Sequence, residues 1–176
     1  MIVPCAPGPA AIQPGVLEAI RAGGHEPDIY ALPGPTAYFE LLAGLWNRTG
    51  QDIVIVEQDI VVRPECIGEM LACDHDWCKF PYHYPPFGFY GGLGCTKFSA
   101  FLQHWVPDAL EVVATMSDAG HPPKHWCRLD AWLQDVLIKR GEREHFHGPP
   151  VQHLNVQADN RCELGLRTHD DIGVTA

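Results

Sequence analysis

Residues 52–62, DIVIVEQDIVV, constrain this chain more than any other stretch. Ile53, Val54, Ile55 and Val56 are four consecutive β-branched residues with no polar alternation. A strand of this kind is covered on both faces, as at the centre of a parallel sheet with helices on either side. Read as one strand, 52–62 carries two acids, Glu57 and Asp59, where the apolar run first meets polar residues. At spacing i, i+2 on an extended chain their side chains share a face, roughly 7 Å apart.

The preceding residues supply the rest of such a sheet. Residues 1–5 read as a short apolar strand. Residues 14–22 read as a helix with Pro14 in its first turn and Val16, Leu17 and Ile20 on one face, stopped by Gly23 and Gly24. Residues 28–32 read as a second strand. Thr36 is a good N-cap for a helix whose apolar stripe is Tyr38, Phe39, Leu41, Leu42, Leu45 and Trp46. The order β-α-β-α-β predicts an α/β domain with right-handed crossovers.

The second half is less regular. Residues 77–84 and 87–90 read as strands around Pro85 and Pro86, followed by a flexible loop at Gly91, Gly92 and Gly94. Residues 99–114 and 126–140 read as helices, and 144–155 as an extended segment with turns at Gly148 and Pro149. Residues 1–155 then form one domain, and 156–176 a polar tail, loose or docked.

Composition narrows the function classes. At 176 residues, with 46% hydrophobic and 19% charged residues, the chain is globular and can bury a real core. No apolar run reaches the roughly 18 residues that a spanning helix needs, and no basic segment precedes an apolar stretch at the N-terminus. The expectation is a cytoplasmic protein with no membrane contact. A net charge of −10 argues against extensive contact with a nucleic-acid backbone, but not against a nucleotide held through a divalent cation. The seven cysteines include no CxxC pair. Cys66, Cys73 and Cys78 lie closest together, at gaps that match no common zinc ribbon, and read as reduced, partly buried thiols.

The candidate chemistry begins with the acids. Ligands of open α/β sheets bind beyond the carboxyl ends of the strands. Of Glu57 and Asp59, one could bind a divalent ion while the other reaches a second ion, a water or a sugar hydroxyl. On helix 126–140 the stripe is Trp126, Leu129, Leu133, Val136 and Leu137. Asp130 falls about 80° from its centre, at the core boundary, and Asp135 about 140° away, facing solvent. A boundary carboxylate can line a cleft with a raised pKa, as a general base requires. An imidazole such as His153, joined to carboxylate and phosphate oxygens, suits Mn²⁺ well and Mg²⁺ less. His145 and His147 form an HxH pair and are rival ligands. Trp105, Trp126 and Trp132 read mostly as core, and Tyr82, His83 and Tyr84 as a candidate acceptor lining.

In this order the landmarks resemble a small GT-A glycosyltransferase, the nucleotide-sugar-dependent family with a DxD-type motif. Glu57-Gln58-Asp59 stands where that family has DxD, and Gly91-Gly92-Leu93-Gly94 where it has a glycine-rich loop beside donor and acceptor. Leu129-Asp130 stands at its acidic catalytic-base motif, and His153 at its late metal-binding histidine. Ile2-Val3-Pro4-Cys5 is similar to its first strand, which contacts the nucleotide base. Two positions depart from the pattern: Glu replaces the first Asp of DxD, and Leu precedes Asp130.

The resemblance implies a GT-A-like, Rossmann-like, mostly parallel sheet flanked by helices. It implies transfer of a sugar from a donor such as a UDP-sugar to an acceptor hydroxyl on a small molecule, a protein or a nucleobase. Asp59, His153 and Glu57 would hold Mn²⁺ or Mg²⁺, with Asp130 as the base. Pro4, Cys5, Ala6, Glu57, Gln58, Asp59, Gly91 and Gly92 would line the donor. Two other readings stay open: a metal-dependent phosphoesterase or nuclease using Glu57, Asp59, His145, His147 and His153, and a non-catalytic binding protein on a degenerate scaffold of the same kind.

Overall fold

The structure, a computed structural model, describes residues 1–5, 12–46, 48, 50–84 and 88–154, with Tyr84 described through its backbone. Ala6, Pro85, Pro86 and the tail 156–176 lie outside the described residues. In chain order the elements are β1 (Ile2–Cys5), α1 (Pro14–Ala22), β2 (Asp28–Ala31), α2 (Ala37–Trp46), β3 (Ile53–Val56), β4 (Ile60–Val61), α3 (Cys66–Ala72) and β5 (Trp77–Lys79). There follow β6 (Tyr82–Tyr84), β7 (Gly88–Tyr90), β8 (Cys95–Phe98), α4 (Ala100–Trp105), α5 (Ala109–Val113), α6 (Trp126–Lys139), β9 (His145–Phe146) and β10 (Gln152–His153).

Six strands form one sheet in the order β2-β1-β3-β8-β5-β9. The pairs β1–β2, β1–β3 and β5–β9 are parallel, and β8 runs antiparallel to both neighbours, β3 and β5. The sheet is therefore parallel in most of its pairings, with one reversed strand inside it. The β-branched run is buried on both faces, as its sequence requires. Ile53 and Ile55 join a core with Phe39, Leu42, Trp46, Phe98, Leu129 and Leu133, beneath α2, α4, α5 and α6. Val54 and Val56 join the opposite core with Val16, Ile20, Ile67, Met70 and Phe80, beneath α1 and α3. Alternation of side chains along an extended chain produces this division.

Several expectations are corrected. The strand expected over 52–62 breaks after Val56. Ile60 N–H donates to the Glu57 carbonyl at 3.0 Å, closing a turn over residues 57–60, so Glu57 and Asp59 do not share one face of an extended strand. Residues 77–84 divide into β5 and β6 at Pro81, whose ring lacks the N–H that a ladder needs. The helix expected over 99–114 divides at Pro107 into α4, capped by Ser99 Oγ accepting from Leu102 N–H at 3.0 Å, and α5. Helix α3 was not foreseen. Trp105 is 63% exposed and stacks on Phe101 instead of entering the core, whereas Trp132 is buried.

Among the described residues, Cys5, Cys66, Cys73, Cys78, Cys95 and Cys127 are free thiols. Among the described residues, no helix is long and apolar enough to cross a membrane.

Candidate active site

The turn that ends β3 is held by partners remote in sequence. Glu57 N–H donates to Gly94 O at 2.8 Å, Gln13 N–H to Gln58 O at 3.0 Å, and Leu154 N–H to Asp59 O at 2.9 Å. The first contact ties the turn to the glycine segment, and the last ties it to β10, which pairs antiparallel with β4 in the register His153↔Ile60. That pairing brings His153 Nε2 to 3.3 Å from Asp59 Oδ2, and both side chains are about nine-tenths buried. The His153 ring also stacks on Tyr82 at 5.1 Å between centroids.

Glu57 faces the same region. It accepts a hydrogen bond from Tyr38 Oη at 3.0 Å. Burial pushes its carboxyl up to about 8, and the nearby charges of Asp59 and Asp130 add to that effect, while Tyr38 and His153 oppose it. Without a cation, Glu57 is thus largely a neutral acid at pH 7.

Asp130 reaches the site from the first half of α6. The helix is capped at His125 and buries Leu129, Trp132, Leu133, Val136 and Leu137 against the sheet, which leaves Asp130 at the core boundary. Asp135 instead pairs with Lys139 at 2.7 Å on the exposed side. Burial raises the Asp130 carboxyl, and the hydrogen bond donated by Tyr90 Oη is the chief opposing effect.

The glycine segment is the hub between these groups, and it is packed in place instead of hanging loose. A Cβ on Gly92 would lie 2.6 Å from the Tyr90 ring, 2.7 Å from Tyr82 Oη and 2.9 Å from Asp130 Oδ2. A Cβ on Gly94 would lie 2.7 Å from Tyr82 and 3.0 Å from Ile60. Thr96 Oγ1 donates to Gly92 O at 2.9 Å, and Lys79 Nζ donates to Gly91 O. Lys79 is buried, ion-paired to Glu144 at 2.6 Å, and lies 4.6 Å from the centroid of the Trp77 ring. Glycine at 92 and 94 thus lets tyrosines and a carboxylate press on the backbone.

The structure brings Glu57, Asp59, Asp130 and His153 into one electrostatic neighbourhood around Gly92 and Gly94. Among the described residues it does not close Glu57, Asp59 and His153 into a compact metal-ligand trio, although Asp59 and His153 lie side by side. Pro4 and Cys5 are buried at the end of β1, and Gln58 is buried within the turn. His145 and His147 lie away from the acids, against β5. Tyr38 and Tyr90, which bond Glu57 and Asp130, were not foreseen. Tyr38 occupies a core position of the α2 stripe, and nothing in its spacing reveals where its hydroxyl points.

No protein-family model matches the chain, and no curated protein is significantly similar to it.

Proposed function

We propose that this protein is a metal-dependent glycosyltransferase that moves a sugar from a nucleotide-sugar donor, such as a UDP-sugar, to an acceptor hydroxyl. The observation that carries the reading is the convergence of three carboxylates and a histidine from three remote segments: the turn after β3, the boundary face of α6, and β10. Two of those carboxylates, Glu57 and Asp130, have raised proton affinities because burial disfavours their ionisation, and at Glu57 like charge adds to the effect. A divalent cation offsets that cost, which makes the cluster a natural receptor for one.

The donor set fits Mn²⁺ or Mg²⁺. Asp59 and His153 supply one oxygen and one nitrogen already side by side, with Glu57 assisting directly or through water. Such ions commonly keep few protein ligands and fill the remaining positions with phosphate oxygens and water. When bound, the ion neutralises charge that develops on the leaving diphosphate.

The chain's own residues do the rest. In this reading Pro4 and Cys5, at the carboxyl end of β1, would contact the nucleotide base, and Gly91 and Gly92 would bring backbone close to donor and acceptor. Asp130 accepts the proton of the attacking hydroxyl if the anomeric centre is inverted, and its raised pKa makes it a stronger base. Tyr90 fixes the orientation of that carboxylate through its hydrogen bond.

A thermal-shift panel of nucleotide sugars, each with and without Mn²⁺, tests the assignment. A donor well above its Kd stabilises the fold by a few kcal/mol, and only with the ion present. Stabilisation by no donor, or by all of them equally without metal, defeats it. Cleavage of simple phosphodiesters with no sugar donor present would make the site a phosphoesterase instead.

A further inference from the structure

A second cluster of donors lies on the sheet edge, and its members come from two parts of the chain that only the strand pairing joins. Cys73 caps the C-terminal end of α3, just before β5. His145 opens β9, which pairs parallel with β5 in the register Cys78↔His145. His147 continues that edge, donating its N–H to Lys79 O at 2.9 Å. One ligand atom each from Cys73, His145 and His147 lies within 4.8 Å of the others.

We propose that Cys73, His145 and His147 form a structural Zn²⁺ site, separate from the acidic cluster. The donor set is one thiolate sulfur and two imidazole nitrogens, the borderline-soft combination that selects Zn²⁺ over Mg²⁺ or Mn²⁺. Around tetrahedral zinc, with Zn–S about 2.3 Å and Zn–N about 2.0–2.1 Å, ligand atoms stand roughly 3.3–3.6 Å apart. Contraction of about 1 Å by side-chain rotation therefore completes the site.

Two observations favour a ligand here. His147 Nε2 is buried with no hydrogen-bond partner among the described residues, and such atoms call for an explanation. Three imidazoles also crowd together: His145 stacks face to face on His75 at 4.1 Å and edge to face on His147 at 4.9 Å. His75 is exposed in the α3–β5 link, where a side-chain rotation gives it the fourth position; otherwise water takes it.

The site has a mechanical consequence. His145 and His147 share one face of the extended edge, and Phe146 lies between them on the other. Phe146 packs on Gly91, where a Cβ would lie 2.5 Å from its ring, and beside Lys79. Zinc at Cys73, His145 and His147 thus clamps the strand whose opposite face braces the glycine segment.

Cobalt titration of tag-free full chain tests the proposal. One equivalent of Co²⁺ is expected to give visible bands of a tetrahedral ion and a near-ultraviolet thiolate-to-cobalt band, both erased by Zn²⁺. Cys73→Ser should lose the thiolate band, and His147→Gln should bind at least about 100-fold more weakly. Cys127→Ser, in the separate His121–His125–Cys127 group, and Asp59→Ala should keep the band. The titration of the unaltered chain needs no variant to fold, and absence of a thiolate band there overturns the proposal. So does a band that survives Cys73→Ser or vanishes in Cys127→Ser. Because Asp59→Ala removes only the acidic site, failure of the zinc site and failure of the glycosyltransferase reading are distinguishable.

Discussion

The two donor clusters of this chain are built from opposite materials. Around Gly92 and Gly94 the groups are carboxylates, tyrosine hydroxyls and one histidine. They are buried and mutually repulsive, so that the Glu57 carboxyl is pushed up to about 8. On the far side of Phe146 the groups are a thiol and imidazoles, half-exposed. A hard, oxygen-seeking ion relieves the first arrangement, and a softer ion suits the second. The contrast teaches that metal affinity at the two proposed sites would have two sources: like charges confined by the fold, and preformed directional donors. Only the first couples metal binding to the ionisation state of a reacting group.

The sharpest break between the clusters is expected from Asp59→Ala. Removing the side chain that touches His153 should lower metal-dependent transfer by roughly 10³-fold, in line with the loss of one preorganised electrostatic contact at a reacting centre. The measurement is transfer rate against Mn²⁺ concentration, with the cobalt–thiolate spectrum as control. Full activity in Asp59→Ala ends the assignment of the acidic site. Next comes Asp130→Asn, which keeps the shape and the Tyr90 contact but removes the proton acceptor. Transfer should fall by about 10²–10⁴-fold while donor-dependent thermal stabilisation persists. Equal loss of both would make Asp130 a structural residue.

Glu57→Gln tests confinement of like charge as a stability effect. The carboxyl has an ordinary value of 4.5 and a folded value of about 8. Below 4.5 both the folded and the unfolded chain hold the proton, and Glu57 carries no penalty. Between those values the unfolded chain releases its proton while the folded chain keeps it, so stability falls as pH rises, and above about 8 the penalty is complete. Glutamine mimics the protonated form and can still accept from Tyr38. The variant should match the parent near pH 4 and exceed it by about 2–4 kcal/mol near pH 9, as read by urea denaturation. A constant difference across that range would mean that the proton is not what the fold strains against.

The two clusters also differed in how far the sequence disclosed them. The β-branched residues 53–56 announced a strand buried on both faces, because burial of both faces leaves no place for polar alternation. Glu57, Asp59, Asp130 and His153 were legible as acids and an imidazole at element ends and boundaries. Their mutual geometry was not. The turn after Val56 has no glycine or proline to mark it and is fixed by Gly94, Gln13 and Leu154, contacts made only in the folded chain. The short helix α3 holds Gly68 inside its apolar pattern, which weakens the helical signal. Cys73 lies some seventy residues before His145, and neither the CxxC nor the zinc-ribbon spacing applies to partners joined by the parallel β5–β9 pair. Tertiary pairing, not local pattern, decided the turn and the Cys73–His145 approach.

The smallest effect isolates the platform under Cys73. Gly68 is exposed within α3, and a Cβ there would meet nothing within 4 Å. Alanine at this position removes backbone freedom from the unfolded chain and introduces no clash, so Gly68→Ala should stabilise the protein by about 0.5–1 kcal/mol. Urea denaturation at fixed pH measures it. The gain should be independent of Mn²⁺ and of nucleotide sugar, because α3 packs against Val54 and Val56 and contributes neither Glu57, Asp59, Asp130 nor His153. It should also leave the energies of the cobalt bands unchanged, since Cys73 keeps its place after the last turn. A destabilised variant would mean that α3 frays in the native state, and that the thiol of Cys73 is held by its ligand partners and not by the helix it caps.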